Sequence, residues 1–288
     1  MNKRHFKLTA FSLFFILILA FSCKQQTIFY QIEQETELEE AVVSGNINAL
    51  VSFNGKLYAC DGKIYSKNSE TIQGWEEINK PNGRIIKLAA NATELYSLNN
   101  EKKLFMSTDG MEWKEADTTS YELSTIFCDG AGKAYAKAKA KDSDTESFYS
   151  LSNGGLIQTT EVSGDILASY NGVTYTTEGE TVKDTLGGQA TKLGRIYSLS
   201  YSPKEKALYV GTDEGLKKLL LDDDGRLTGE KKDPPGNWES TIKEYEIFAV
   251  LATDNAIYCS VIENGSVYAS VTGLWSYYYD KRDSWNVE

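Results

Sequence analysis

Histidine is almost absent from this 288-residue chain; its single copy, His5, lies in an N-terminal segment whose charge pattern marks it for removal. Without imidazole in the remainder, Ser-His-Asp and Cys-His nucleophile pairs, His-ligated zinc, the iron facial triad and an axial haem histidine are all excluded. Catalysis would have to rest on carboxylates, tyrosine, lysine or arginine. Basic charge is also scarce: 30 Lys and Arg stand against 41 Asp and Glu, for a net charge of -11. Such a surface repels a polyanion, so no nucleic-acid partner is expected. Proline occurs only four times while glycine (23) and tyrosine (18) are plentiful, which favours short strands joined by glycine turns over a helical bundle. The longest apolar run, residues 8–21, would reach about 21 Å as a helix, short of the ~30 Å of a hydrocarbon core. A signal segment is therefore expected there in preference to a permanent membrane span.

That run follows Lys3, Arg4 and Lys7 and ends in Leu19-Ala20-Phe21-Ser22-Cys23, the layout of a secretory signal. The ending resembles the lipobox of bacterial lipoproteins, with Ala20 and Phe21 where a Leu and a small residue are usual. The resemblance implies cleavage before Cys23, acylation of its thiol and amine, and attachment to membrane lipid through that residue. Lys24 stands where an Asp would signal retention in the inner membrane, which favours the outer membrane. Residues 1–22 are thus expected to be a signal peptide and 23–45 a lipidated tether, carrying five acids between Glu33 and Glu40. Cleavage removes three of the 30 basic residues and leaves 27 against 41 acids, a net charge of -14. Cys60, Cys128 and Cys259 remain, an odd number for an exported chain, and are expected as small buried thiols in strands.

Internal similarity organises the rest. Leu50-Val-Ser-Phe-Asn-Gly-Lys-Leu-Tyr58 and Leu167-Ala-Ser-Tyr-Asn-Gly-Val-Thr-Tyr175 lie three steps of 39 apart, and further copies fall between and beyond them. Six copies are marked by Tyr58, Tyr96, Tyr135, Tyr175, Tyr209 and Tyr258, at steps of 38, 39, 40, 34 and 49. Each alternates short apolar strands with Asn-Gly, Asp-Gly or similar turns, the pattern of antiparallel hairpins. In the second copy four strands can be read between Ile85 and Ala116. A period near forty with four strands per copy predicts an all-β fold, a β-propeller of six four-stranded blades over residues 46–288. Residues 28–32 are placed beside Trp285-Asn-Val-Glu288 to close the ring.

Ser107-Thr-Asp109-Gly110-Met-Glu-Trp113 resembles the Asp-box of sialidase-like and sortilin-like propellers, with one residue missing between Asp and Gly. There the Asp and Gly make the turn between third and fourth strands, the Ser bonds across it and the Trp packs between blades. The resemblance therefore implies a fold and no activity. Sialidases also require three converging arginines, a Tyr nucleophile with its Glu, and an acid. After cleavage the chain has Arg84, Arg195, Arg226 and Arg282; only Arg84 and Arg195 begin innermost strands, and no Arg-Ile-Pro surrounds them. They are kept as candidate binding residues, and no catalytic residue is assigned.

Asp222-Asp-Asp-Gly225 lacks the EF-hand ligand spacing and reads as a hairpin turn, while Gly211-Thr-Asp-Glu-Gly215 lacks the Lys-Ser/Thr of a phosphate loop. No metal and no cofactor are expected. The densest aromatic cluster, Trp275, Tyr277, Tyr278, Tyr279 and Trp285, alternates rings on both faces of the last blade. Interblade packing accounts for part of it; Trp275, Tyr277 and Tyr279 are the candidates for a contact surface. The sequence thus points to a membrane-anchored, non-catalytic binding or scaffolding propeller of the bacterial cell envelope, with a protein or glycan partner. The alternatives are a glycan-active sialidase-like enzyme and a structural component of an envelope assembly machine.

Overall fold

A computed structural model describes residues 43, 45–68, 74–263, 272–280 and 284–288. The chain divides between Ala41 and Val42, and every described residue belongs to the second unit. His5, Cys23, the tether through residue 42, the proposed closing segment 28–32 and Arg282 lie outside the described residues.

Six four-stranded antiparallel sheets follow one another along the chain. Blade 1 holds β1 (Ala49–Phe53), β2 (Lys56–Cys60), β3 (Ile64–Asn68) and β4 (Glu76–Ile78). Blade 2 holds β5 (Ile85–Ala90), β6 (Leu95–Asn99), β7 (Leu104–Ser107) and β8 (Lys114–Glu115). Blade 3 comprises β9 (Tyr121–Cys128), β10 (Ala134–Ala140), β11 (Glu146–Ser152) and β12 (Gly155–Gln158). Blade 4 comprises β13 (Leu167–Tyr170), β14 (Val173–Glu178), β15 (Thr181–Asp184) and β16 (Gln189–Ala190). Blade 5 has β17 (Ile196–Ser202), β18 (Ala207–Thr212), β19 (Gly215–Leu221) and β20 (Leu227–Lys232). Blade 6 has β21 (Glu246–Ala252), β22 (Ala256–Ile262), β23 (Gly273–Tyr278) and β24 (Trp285–Val287). This is the expected six-bladed propeller. Between blades 5 and 6 the chain makes one short helix, α1 (Trp238–Thr241), in the insertion that stretches the last tyrosine step to 49.

Turn chemistry fixes the hairpins. Asn54-Gly55 and Asn171-Gly172 both adopt left-handed backbone, at φ of 48° and 69° and of 48° and 80°, so each makes a two-residue turn whose twist matches its strands. Asp222 folds back on its own loop, its Oδ1 accepting N–H groups of Asp224 and Arg226, so the acidic run is a turn as expected.

All six marker tyrosines sit in the second strand of their blades and are buried. Each serves the seam with the next blade. Tyr58 presses on Gly110 in the β7–β8 turn, where an added Cβ would collide with its hydroxyl and ring. Tyr96 donates to Glu94 Oε2, and the same oxygen accepts Asn153 N–H of blade 3. Tyr135 packs with Val162 and Leu167 at the start of blade 4. Tyr175 donates to the Gly225 carbonyl of blade 5 at 2.6 Å. The Tyr209 hydroxyl shares Glu205 Oε2 with Tyr279 of blade 6. Tyr258 meets Trp75 of blade 1 edge-on at 6.0 Å. A tyrosine suits this place because its ring fills the seam while its hydroxyl reaches a polar turn.

The seam between blades 6 and 1 also holds a buried ion pair. Lys67 Nζ lies 2.6 Å from Glu288 Oε2, with only 1% and 9% of the two side chains exposed. Trp75 Nε1 donates to the same oxygen, while Ser276 and Tyr278 donate to Oε1. Burial raises the Glu288 carboxyl, but the hydrogen bonds from Lys67 and Ser276 and the Lys67 charge outweigh it and hold the group below its ordinary range.

Candidate functional site

The six innermost strands, β1, β5, β9, β13, β17 and β21, surround a cavity of about 870 Å³. That volume falls in the range of small-ligand sites. Its position follows from the fold, and its lining from the side chains that these strands and their loops present.

Four innermost strands carry a one-residue bulge at the same place. The pairing of β5 with β6 passes over Ile86, that of β9 with β10 over Ser124, that of β17 with β18 over Tyr197, and that of β21 with β22 over Phe248; only the last two place aromatic rings there on neighbouring blades. A bulged residue leaves the alternating register and is re-aimed. Tyr197 and Phe248, from neighbouring blades, stack with centroids 4.3 Å apart and planes within 10°. Phe248 remains 37% exposed, and both residues line the cavity. The Arg195 guanidinium lies 5.4 Å from the Tyr197 centroid, and the Tyr197 hydroxyl donates to Glu246 Oε2 at 3.3 Å. Burial first, then the Glu246 charge, raises the Tyr197 hydroxyl above its ordinary pKa.

A second stacked pair, Tyr170 and Tyr201, joins the other ends of β13 and β17 at 3.7 Å. Burial and a hydrogen bond with Tyr170 push the Tyr201 hydroxyl up. Among the described residues, ring pairs bridging neighbouring innermost strands occur only at the 4–5 and 5–6 seams, so one wall is aromatic. Elsewhere the lining includes the neutral side chains Asn48, Ser52, Ser169 and Asn171. Two of its charges are committed: Lys87 Nζ donates to the Asn48 carbonyl, and buried Asp129 accepts N–H groups of Ala131 and Lys133. Among the described residues no three His, Cys, Asp or Glu side chains form a metal-binding group.

Arg84 and Arg195 occupy equivalent places, each after a left-handed glycine and each with its N–H held by a side chain, Asn100 or Asp213. They stand on blades 2 and 5, three blades apart in a ring of six, and neither lines the cavity. No salt bridge among the described residues involves either, so the structure does not bring them together as a clamp.

The aromatic cluster of blade 6 is placed largely in the seam with blade 5. Tyr277 is 6% exposed and packs against Tyr279 and Trp285. The Tyr279 hydroxyl bonds with Ser202 and donates to Glu205 of blade 5. Trp285 Nε1 donates to the Pro235 carbonyl in the insertion that carries α1. Trp275 is half-buried beside the same core. The rings lining the ligand-sized cavity are instead Phe127, Tyr170, Tyr197, Tyr201 and Phe248, which the sequence pattern did not single out as binding residues. Gly83-Arg84-Ile85-Ile86 and Gly194-Arg195-Ile196-Tyr197 were the available signal.

In the Asp109 turn, Ser107 Oγ donates to Asp109 Oδ1 and accepts Gly110 N–H, while Met111 and Glu112 N–H groups bond to Oδ1. The backbone N–H groups of Glu112 and Met111, then Ser107, hold the Asp109 carboxyl below its ordinary range. Trp113 Nε1 donates to the Asn79 carbonyl, tying blade 2 to the end of blade 1.

A family pattern matches residues 8–213, more than two thirds of the sequence. The chain belongs to the TP013X lipoprotein family. A lipoprotein of Treponema pallidum (strain Nichols) is 26% identical over 110 residues, which is 38% of this chain and 28% of that relative. The chain thus matches little more than a quarter of that relative's length. Membership in a lipoprotein family agrees with lipid anchoring in the cell envelope. Among solved structures, U3-55K superposes with a TM-score of 0.52 at 9% identity, covering 81% of this chain and 94% of that one. The WD40 β-propeller domain of Doa1 gives 0.48 at 10% identity, covering 76% and 92%. YCF48 from Cyanidioschyzon merolae gives 0.43 at 13%, covering 86% of each. These likenesses concern the fold alone.

Proposed function

We propose that this TP013X-family chain is a non-catalytic binding module, held to the envelope membrane by acylated Cys23 and taking its partner at the cavity mouth marked by Tyr197 and Phe248. The observation that carries the reading is the stacked ring pair on two adjacent bulges, with Phe248 exposed and Tyr197 half-buried beneath it. A propeller core does not need a half-exposed phenylalanine at its mouth, and bulges often re-aim side chains beside functional sites. Of the charged groups described at the site, Lys87 and Asp129 are tied into the fold, and Arg84 and Arg195 are not brought together as a clamp. Residues 1–22 act as the signal peptide, the outer membrane is the favoured destination, and the Asp109 turn is a shortened Asp-box with a structural role.

Two experiments address the two halves. Cys23→Ala should abolish incorporation of labelled palmitate and release the chain from membranes; unchanged labelling refutes the anchor. A photo-crosslinking phenylalanine analogue at Phe248 should capture an envelope component that the same analogue at Leu186, an exposed residue of the β15–β16 turn, does not. Equal capture at both places refutes the mouth as the binding site.

A further inference from the structure

Resting on that reading of the cavity mouth, we infer that the ligand is a neutral oligosaccharide lying along the aromatic wall of blades 4 to 6. Tyr197 and Tyr201 both belong to β17 and are four residues apart, about 13 Å at the usual strand rise. One strand thus carries two ring platforms, Tyr197 with Phe248 and Tyr201 with Tyr170, at opposite ends of the cavity wall. A ligand that uses both must be an extended oligomer with a flat apolar face recurring along its length.

The remaining lining narrows the class. A phosphorylated or sulfated ligand requires converging cations. Lys87 is engaged by the Asn48 carbonyl, Arg195 lies over Tyr197 outside the cavity lining, and the whole chain is acidic. An acyl chain requires a continuously apolar wall, and Asn48, Ser52, Ser169 and Asn171 interrupt it. Flat apolar ring faces edged by hydroxyls meet both halves of this lining: aromatic rings for the faces, amides and hydroxyls for the edges. Neutral pyranose oligomers have that form.

The test is calorimetric titration of the full chain, in a zwitterionic detergent without sugar headgroups, with maltohexaose, cellohexaose and chitohexaose. At least one should bind saturably. Phe248→Ala and Tyr197→Ala should each weaken it about tenfold, near the upper end of what one ring contact supplies. Phe248→Trp should retain binding, and Ile157→Ala, at an exposed residue of the outer strand β12, should leave it unchanged. Thermal melting of each variant separates lost binding from lost fold. Absence of binding by all three hexasaccharides, or binding indifferent to both alanine variants, overturns the saccharide. Tighter binding of a tryptophan-containing hexapeptide overturns it also. If the sugars fail while the Phe248 crosslinker still captures a specific protein, the binding module stands with a different ligand; if both fail, the mouth is not a site.

Discussion

Removing the Glu288 carboxylate should destabilise the whole propeller rather than fray one strand. Its two oxygens collect Lys67 and Trp75 from blade 1 and Ser276 and Tyr278 from blade 6, and the ion pair is almost wholly out of solvent. Breaking one partner of a buried pair costs about 3–5 kcal/mol, because the survivor is left charged and desolvated. In a domain of this size each kcal/mol lowers Tm by about 2–4 °C, so Glu288→Ala should melt about 6–20 °C below the parent at pH 7. Glu288→Gln should lose less, since an amide oxygen can still accept from Trp75, Ser276 or Tyr278.

The folded-state pKa of Glu288 is depressed, so its contribution is fully present above the ordinary carboxylate range and is lost as pH falls through the folded value. The gap between parent and Glu288→Gln should therefore narrow on acidification. Circular dichroism melts at pH 7 and pH 3 read both effects. A Glu288→Ala variant within about 1 kcal/mol of the parent, or a Gln deficit that is the same at both pH values, would refute the reasoning.

Two further outcomes are expected. Tyr175→Phe removes the hydrogen bond to the Gly225 carbonyl while keeping the ring, so chemical denaturation should show a loss of about 1 kcal/mol with an unchanged slope. Cys60 and Cys259 are fully buried free thiols, Cys60 pushed up to about 12 by burial, so neither should react with a thiol reagent at pH 8 until the chain is unfolded.

The blade count was legible because each copy repeats a tyrosine that is buried in the seam with the next blade, and because Asn-Gly turns punctuate the strands. The ring pair at the cavity was not. Alternation assigns faces by counting in twos, and a bulge at Tyr197 or Phe248 resets that count through a pairing partner on another strand. Trp275, Tyr277 and Tyr279 stood out for their density, yet the cluster's burial depends on Ser202, Glu205 and Pro235, which are distant in sequence. The turn at Asp222 was readable because its hydrogen bonds are local.

The tyrosine struts give the ring a sense of rotation. Each blade extends one toward its successor and receives one from its predecessor, so no blade is an end blade. In a linear array of repeats the outer members have one neighbour and loosen first. Here damage at any single seam creates two such members at once, on either side of the break. A fault in one strut should thus be felt equally by the blade that offers the tyrosine and by the blade that accepts it, wherever on the circle it falls.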